Sequence, residues 1–162
     1  MRGSRSPRPW QACALSVLIV IAAGLPGGAG AQPPPAPRMA VPAAPEVAGE
    51  LGRLVAAARE RFEARDAGGV LAYVSEQYRS AGLTKAAVRQ QLLAMFALYE
   101  ELRAHVTVER VDVVDGATWV YTTGEISGRL PMMGWVSVLA WEREPEVVRR
   151  EGARWRLVGF QD

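Results

Sequence analysis

At Arg103 the chain changes its hydrophobic period, and this change constrains the fold more than any other feature. Before it, Val47, Leu51, Leu54, Val55, Ala58 and Phe62 fall at helical spacing, with Glu50, Arg53, Glu60, Arg61 and Glu63 on the opposite side. That pattern predicts an amphipathic helix of about five turns. Gly68-Gly69 is expected to end it, with Asp66 placed to cap the next helix. Val70 to Val74 reads as that short second helix. Ser80-Ala81-Gly82 reads as a turn, and Thr84 as the cap of a third helix running to about Leu102, with Val88, Leu92, Met95, Phe96 and Tyr99 on one face.

After Arg103 the period is two. Val106, Val108, Val111 and Val113 lie in a β-branched run from Arg103 to Val114, and their parity shifts midway, which predicts a bulge near Glu109-Arg110. Asp115-Gly116 is a hairpin signal. Ala117 to Ser127 alternates again, Gly128 to Gly134 reads as a loop, and Trp135 to Arg143 as a third strand. Pro145 is expected to interrupt that strand, Val147 to Arg150 to resume it, and Arg154 to Phe160 to form the last strand after a turn at Glu151-Gly152. Three helices followed by about four hairpin-linked antiparallel strands predict an α+β fold, with the helices packed on one face of a curved, cone-like sheet.

The folded part begins late. Residues 1–10 carry Arg2, Arg5 and Arg8 and no acid. Ala12 to Leu25 is apolar, and Ala29-Gly30-Ala31 precedes Gln32. This is the order of a secretory signal peptide, residues 1–31, with cleavage expected after Ala31 and a periplasmic or secreted location. A spanning helix needs about 20 apolar residues, so stable membrane insertion after cleavage is not expected. Residues 32–46 form a Pro-rich linker: nine of the 11 prolines precede Glu46, and such a stretch favours extended conformations with little to bury. One domain remains, 47–162, at about the size that sustains a single core.

The charge balance changes with the same boundary. Removing Arg2, Arg5 and Arg8 from the 19 basic residues leaves 16 against 17 acids. The remaining charges alternate in sign, as in Arg59-Glu60-Arg61 and Glu142-Arg143-Glu144, and so read as a solvated surface. A nucleic-acid partner is not expected, because binding phosphates calls for a basic stripe. Cys13, the one cysteine, lies in the signal. The processed chain therefore has no disulfide, thiol nucleophile or thiolate metal site, and no cofactor is expected.

The element order resembles the nuclear transport factor 2-like superfamily, which includes polyketide-cyclase-like and ketosteroid-isomerase-like members. Three segments carry the resemblance: the break Arg65-Asp66-Ala67-Gly68-Gly69-Val70-Leu71 after the long helix; Tyr78-Arg79-Ser80-Ala81-Gly82-Leu83-Thr84-Lys85 before the third; and the terminal Glu151-Gly152-Ala153-Arg154-Trp155-Arg156-Leu157-Val158-Gly159. The resemblance implies a sheet wrapped round the long helix, with the cone mouth as the default ligand site. Members include enzymes, binding modules and dimeric scaffolds, so fold does not settle function.

Isomerases of the superfamily use a carboxylate base and a Tyr or protonated acid in an apolar cone. Asp66, Glu76, Asp112, Asp115 and Glu125 do not align with such a pair. His105, the one histidine, is placed by the sequence at a helix-to-strand junction, where it would meet the last helical carbonyls. With no catalytic or metal-binding set assembled, the reading is a non-catalytic domain binding a small apolar ligand or a partner protein. An isomerase, dehydratase or cyclase, or a structural homodimer formed through the sheet face, are the alternatives. The expected cone lining is Phe62, Tyr73, Tyr78, Phe96, Trp119, Tyr121 and Trp135, with Met132-Met133 as an adaptable rim.

Overall fold

The computed structural model describes residues 40–159. The expected signal peptide and most of the expected Pro-rich linker lie outside the described residues. The elements are β1 (Ala40–Pro42), α1 (Pro45–Glu63), α2 (Ala67–Leu71), β2 (Arg79–Ser80), β3 (Leu83–Thr84), α3 (Lys85–Leu98), β4 (Glu101–Val114), β5 (Ala117–Leu130), β6 (Gly134–Glu151) and β7 (Arg154–Leu157). β2 and β3 make a small ribbon, and the other strands form one antiparallel sheet in the order β1-β4-β5-β6-β7. The fold is α+β, with three helices on one face of the sheet, and the strand count is five, not four. The additional strand, β1, comes from within the predicted linker. Pro42 fits there because an edge strand needs ladder bonds on one side only, and Ala43 N–H then donates to the Val111 carbonyl at 2.9 Å.

The helices are displaced from their expected places for identifiable reasons. α1 starts at Pro45, whose missing N–H costs nothing at a first helical position. It ends at Glu63, not at Gly68-Gly69. Arg65 takes φ 60°, and the Arg65 and Asp66 N–H groups return to the carbonyls of Phe62 and Arg61, both at 2.9 Å. This is a Schellman closure built without glycine. Asp66 then caps α2 by accepting from Gly69 N–H at 2.8 Å. A β-carbon on Gly69 would collide with that carboxylate, so the glycine serves the cap. Thr84 caps α3, as expected, accepting from Ala87 N–H at 3.3 Å. α3 stops at Leu98 rather than Leu102, because Glu100 N–H already pairs with the Arg129 carbonyl at 2.8 Å.

The sheet follows the period-two reading closely. Asp115 and Gly116 both have positive φ, 49° and 79°, as a two-residue hairpin of type I′ requires. The β4–β5 register slips between Val108 and Arg110, placing a bulge where the valine parity shifts. β5 and β6 run further than expected, so the loop between them shrinks to Pro131–Met133. Pro145 does not interrupt β6. It sits opposite Tyr121, just beyond a second bulge at which Arg143 takes φ 49°, and bulges are where a sheet tolerates proline.

One core fills the space between helices and sheet. Leu51, Phe62, Val70, Val88, Leu92 and Met95 come from the helices, and Leu102, Ala104, Val111, Val120, Ile126, Trp141, Val148 and Leu157 from the strands.

Candidate functional site

Alternation along β5 decides where the predicted site residues go. Val120, Thr122 and Ile126 are buried, so the positions between them turn to the face away from the helices. Trp119 and Tyr121 are on that outer face, and Trp135 is there too, opposite Arg129. Two of these aromatics carry a guanidinium: Arg110 lies 4.3 Å from the Tyr121 ring centre and Arg103 lies 4.0 Å from that of Trp135. Phe62, Tyr78 and Phe96 are buried among the helices, Phe62 and Phe96 with ring centres 5.7 Å apart. Tyr73 is half-buried at the sheet edge, where its carbonyl accepts from Leu157 N–H. The seven aromatics are therefore divided between two faces and do not line one cone. Met132 and Met133 are exposed at the β5–β6 turn.

His105 is not at a helix junction. It is exposed within β4 on the outer face, opposite Glu125. Arg65 holds the chain leaving α3 instead, donating to the carbonyls of Tyr99 at 2.8 Å and Glu100 at 3.2 Å. The named acids have structural partners or turn positions. Asp66 caps α2, Glu76 accepts from Lys85 Nζ at 2.7 Å, and Asp112 pairs with Arg110 Nε at 2.8 Å.

Two acids are inside, and one of them, Glu144, belongs to the run that the alternation of charges places on the surface. Glu144 and Glu146 are paired with Thr122 and Val120, on the face that meets the helices. Glu146 is wholly buried and Glu144 nearly so. Thr122 beside them accepts from Trp141 Nε1 at 3.0 Å. Val158 N–H donates to the Val147 carbonyl, which sets Gly159 alongside Glu146, and a β-carbon on Gly159 would come within 3.0 Å of the Tyr78 ring. Tyr78 thus closes over the same corner. The alternation Glu144, Glu146, Val148 is visible in the sequence, and Val148 as an inward residue is the signal that could have found the two acids.

A cleft of about 670 Å³ opens at this end of the sheet. It lies between the β4–β5 turn and the β6–β7 hairpin, with Trp119, Val147, Val158, Arg149, Arg150 and Trp155 among its walls. Thr118 and Val148 are paired neighbours in its inner wall, and the next inward pair is Val120 with Glu146. One such step along a strand is about 6.6 Å, so Glu146 lies one step and Glu144 two steps from Val148, and neither belongs to the cleft's lining.

A polar frame braces the cleft's rim. Glu50 of α1 accepts from Trp155 Nε1 at 2.7 Å and pairs with Arg150. The Trp155 hydrogen bond, with Arg150 and Arg53 nearby, holds the Glu50 carboxyl below its usual range. Glu151 accepts from Ser75 Oγ at 2.6 Å and from Arg149 at 2.9 Å, and these contacts with Arg156 lower its pKa too. Among the described residues no three His, Cys, Asp or Glu side chains gather to hold a metal ion, and no helix is long and apolar enough to cross a membrane.

No family model and no curated protein matches the chain. Several solved structures match it. Aln2 from a Streptomyces species superposes with a TM-score of 0.60 at 14% identity, over 74% of this chain and 90% of that one. A candidate dehydratase from the NTF2-like family of Streptomyces avermitilis gives 0.56 at 16% identity, over 71% and 94%. Bd1075 of Bdellovibrio bacteriovorus gives 0.52 at 14% identity, over 68% of this chain, which spans only 38% of that protein. At these identities the likeness is one of architecture, and by architecture residues 40–159 have the nuclear transport factor 2-like fold.

Proposed function

We propose that this chain is an exported domain that binds a small molecule at the open end of its sheet. The observation that carries the reading is the cleft of about 670 Å³, with buried Glu146 one step along β6 from Val148 in its wall. That volume suits a drug-sized ligand, and such sites combine apolar walls with a few placed polar groups. Enclosing a carboxyl group is costly in folding terms, so buried Glu146 next to a cleft supports the reading. Export rests on the order of residues 1–31.

The test is a thermal-shift screen of chemically diverse small molecules against the wild type and Thr118→Trp, which fills the cleft from a partly exposed position. A compound that raises the Tm of the wild type and leaves the variant unmoved is the expected result. A flat response across the panel, or equal shifts in both proteins, overturns the reading.

A second reading, general acid–base catalysis, rests on the enclosed acids beside Tyr78. Mass-spectrometric turnover of a bound ligand, lost in Glu146→Gln while binding persists, separates it from simple binding. A homodimer through the outer sheet face would bury the Arg103–Trp135 and Arg110–Tyr121 pairs, and sedimentation at micromolar concentration tests for it.

A further inference from the structure

Resting on the ligand-binding reading above, we propose that the cleft takes an aromatic carboxylate. The walls separate into an apolar part and a cationic part. Trp119, Val147 and Val158 offer a flat apolar surface. Arg149 and Arg150 follow directly on β6, beside Trp155.

The protein already displays what this corner recognises. The Glu50 carboxylate is held by the Trp155 indole N–H at 2.7 Å and by the Arg150 guanidinium, which itself stands 5.0 Å from the Trp155 ring centre. Arg150 is thereby committed to Glu50. Arg149 is differently placed. It reaches Gln77 Oε1 at 2.8 Å and Glu151 Oε1 at 2.9 Å through the same nitrogen, Nη2, and its side chain is half exposed. A guanidinium carries five donors in a planar fork and can meet a carboxylate with two of them. Its two partners fix the plane of that fork in advance. Asp115, at the β4–β5 turn, lies in the opposite wall. A ligand anion is repelled there and directed to the β6–β7 side, with its ring left against Trp119 and the valines.

The experiment is calorimetric titration of the full chain with three probes of one shape: 2-naphthoate, 2-naphthylmethanol and 2-naphthylmethylammonium. Naphthoate is expected to bind at least tenfold more tightly than the alcohol. Arg149→Gln should remove that preference while leaving the alcohol's affinity unchanged, and Arg149→Lys should retain part of it. Ala117→Glu, which adds a negative charge to the cleft wall without touching Arg149, should also remove it, and so guards against a folding defect in the Arg149 variants. Equal binding of acid and alcohol, or tightest binding of the ammonium, overturns the carboxylate assignment and leaves the cleft a ligand site. No heat with any of the three overturns the aromatic carboxylate, and the thermal-shift panel then decides on its own whether the cleft binds anything.

Discussion

The two faces of the sheet use the same residue types for opposite purposes. On the inner face, Phe62 and Phe96 pack ring to ring, Trp141 gives its indole N–H to Thr122, and Glu144 and Glu146 are enclosed. On the outer face, Tyr121 and Trp135 lie under guanidinium groups, and Thr107, Glu125 and His105 are exposed to solvent. Aromatic residues thus mark the core on one side and a cation-covered surface on the other, while carboxylates appear on both. Residue chemistry alone does not reveal the side; strand parity does.

Substitutions on each face should break this symmetry of composition. The largest loss is expected for Phe62→Ala, about 3–5 kcal/mol, because a fully buried ring leaves a cavity that the helices cannot close; urea unfolding measures it, and a loss under about 1 kcal/mol would contradict the packing described. Gly124→Ala comes next. Its β-carbon would sit 2.5 Å from both the His105 carbonyl oxygen and the Trp141 ring, and such overpacking costs about 1–3 kcal/mol. Thr122→Val keeps the shape but strands the Trp141 N–H, for about 1–2 kcal/mol, together with a change in near-ultraviolet circular dichroism. On the outer face, Trp135→Ala should cost at most about 1 kcal/mol, the worth of an exposed cation–π pair. A cost as large as that of Phe62→Ala would mean that the outer face is also a packed interface.

The smallest effect concerns pH. Glu50 has its pKa lowered in the folded state by Trp155, Arg150 and Arg53. Its contribution is therefore complete above the ordinary glutamate value of 4.5 and is lost as pH falls below it through the folded pKa. Glu50→Gln should lower the Tm by a constant amount above that value and by progressively less as pH falls, flattening part of the acid-side decline.

Much of the fold was legible because local chemistry and global packing agree. The Asp115-Gly116 hairpin, the bulge between Val108 and Arg110, the Thr84 and Asp66 caps and the change of period at Arg103 all rest on short-range rules. β1 was not legible, since three residues with a proline carry no period; only its ladder with β4 defines it. The end of α1 was misplaced because Arg65 takes a left-handed conformation usually left to glycine, and Gly68-Gly69 drew the expectation forward. The site was the least legible part. The predicted lining joined Trp119, Tyr121 and Trp135 to Phe62, Tyr78 and Phe96, which lie on the other side of the sheet, and the Glu142–Glu144 run was read as surface. The register shift between Thr122 and Gly124 returns Glu144 and Glu146 to the inner face, and after that bulge the parity is marked by the apolar Val148, not by the charges before it.

That extra residue in β6 decides where the strand can lose a codon. Trp141 faces inward, Glu142 and Arg143 both fall opposite Thr123, and Glu144 faces inward again. Loss of Arg143 would restore plain alternation and leave Glu144, Glu146 and Arg150 on their present sides. Loss of one residue between Glu146 and Arg150 would instead turn the end of the strand over and take Arg150 away from Glu50. The bulge is thus a place where the strand can change length without changing its interior.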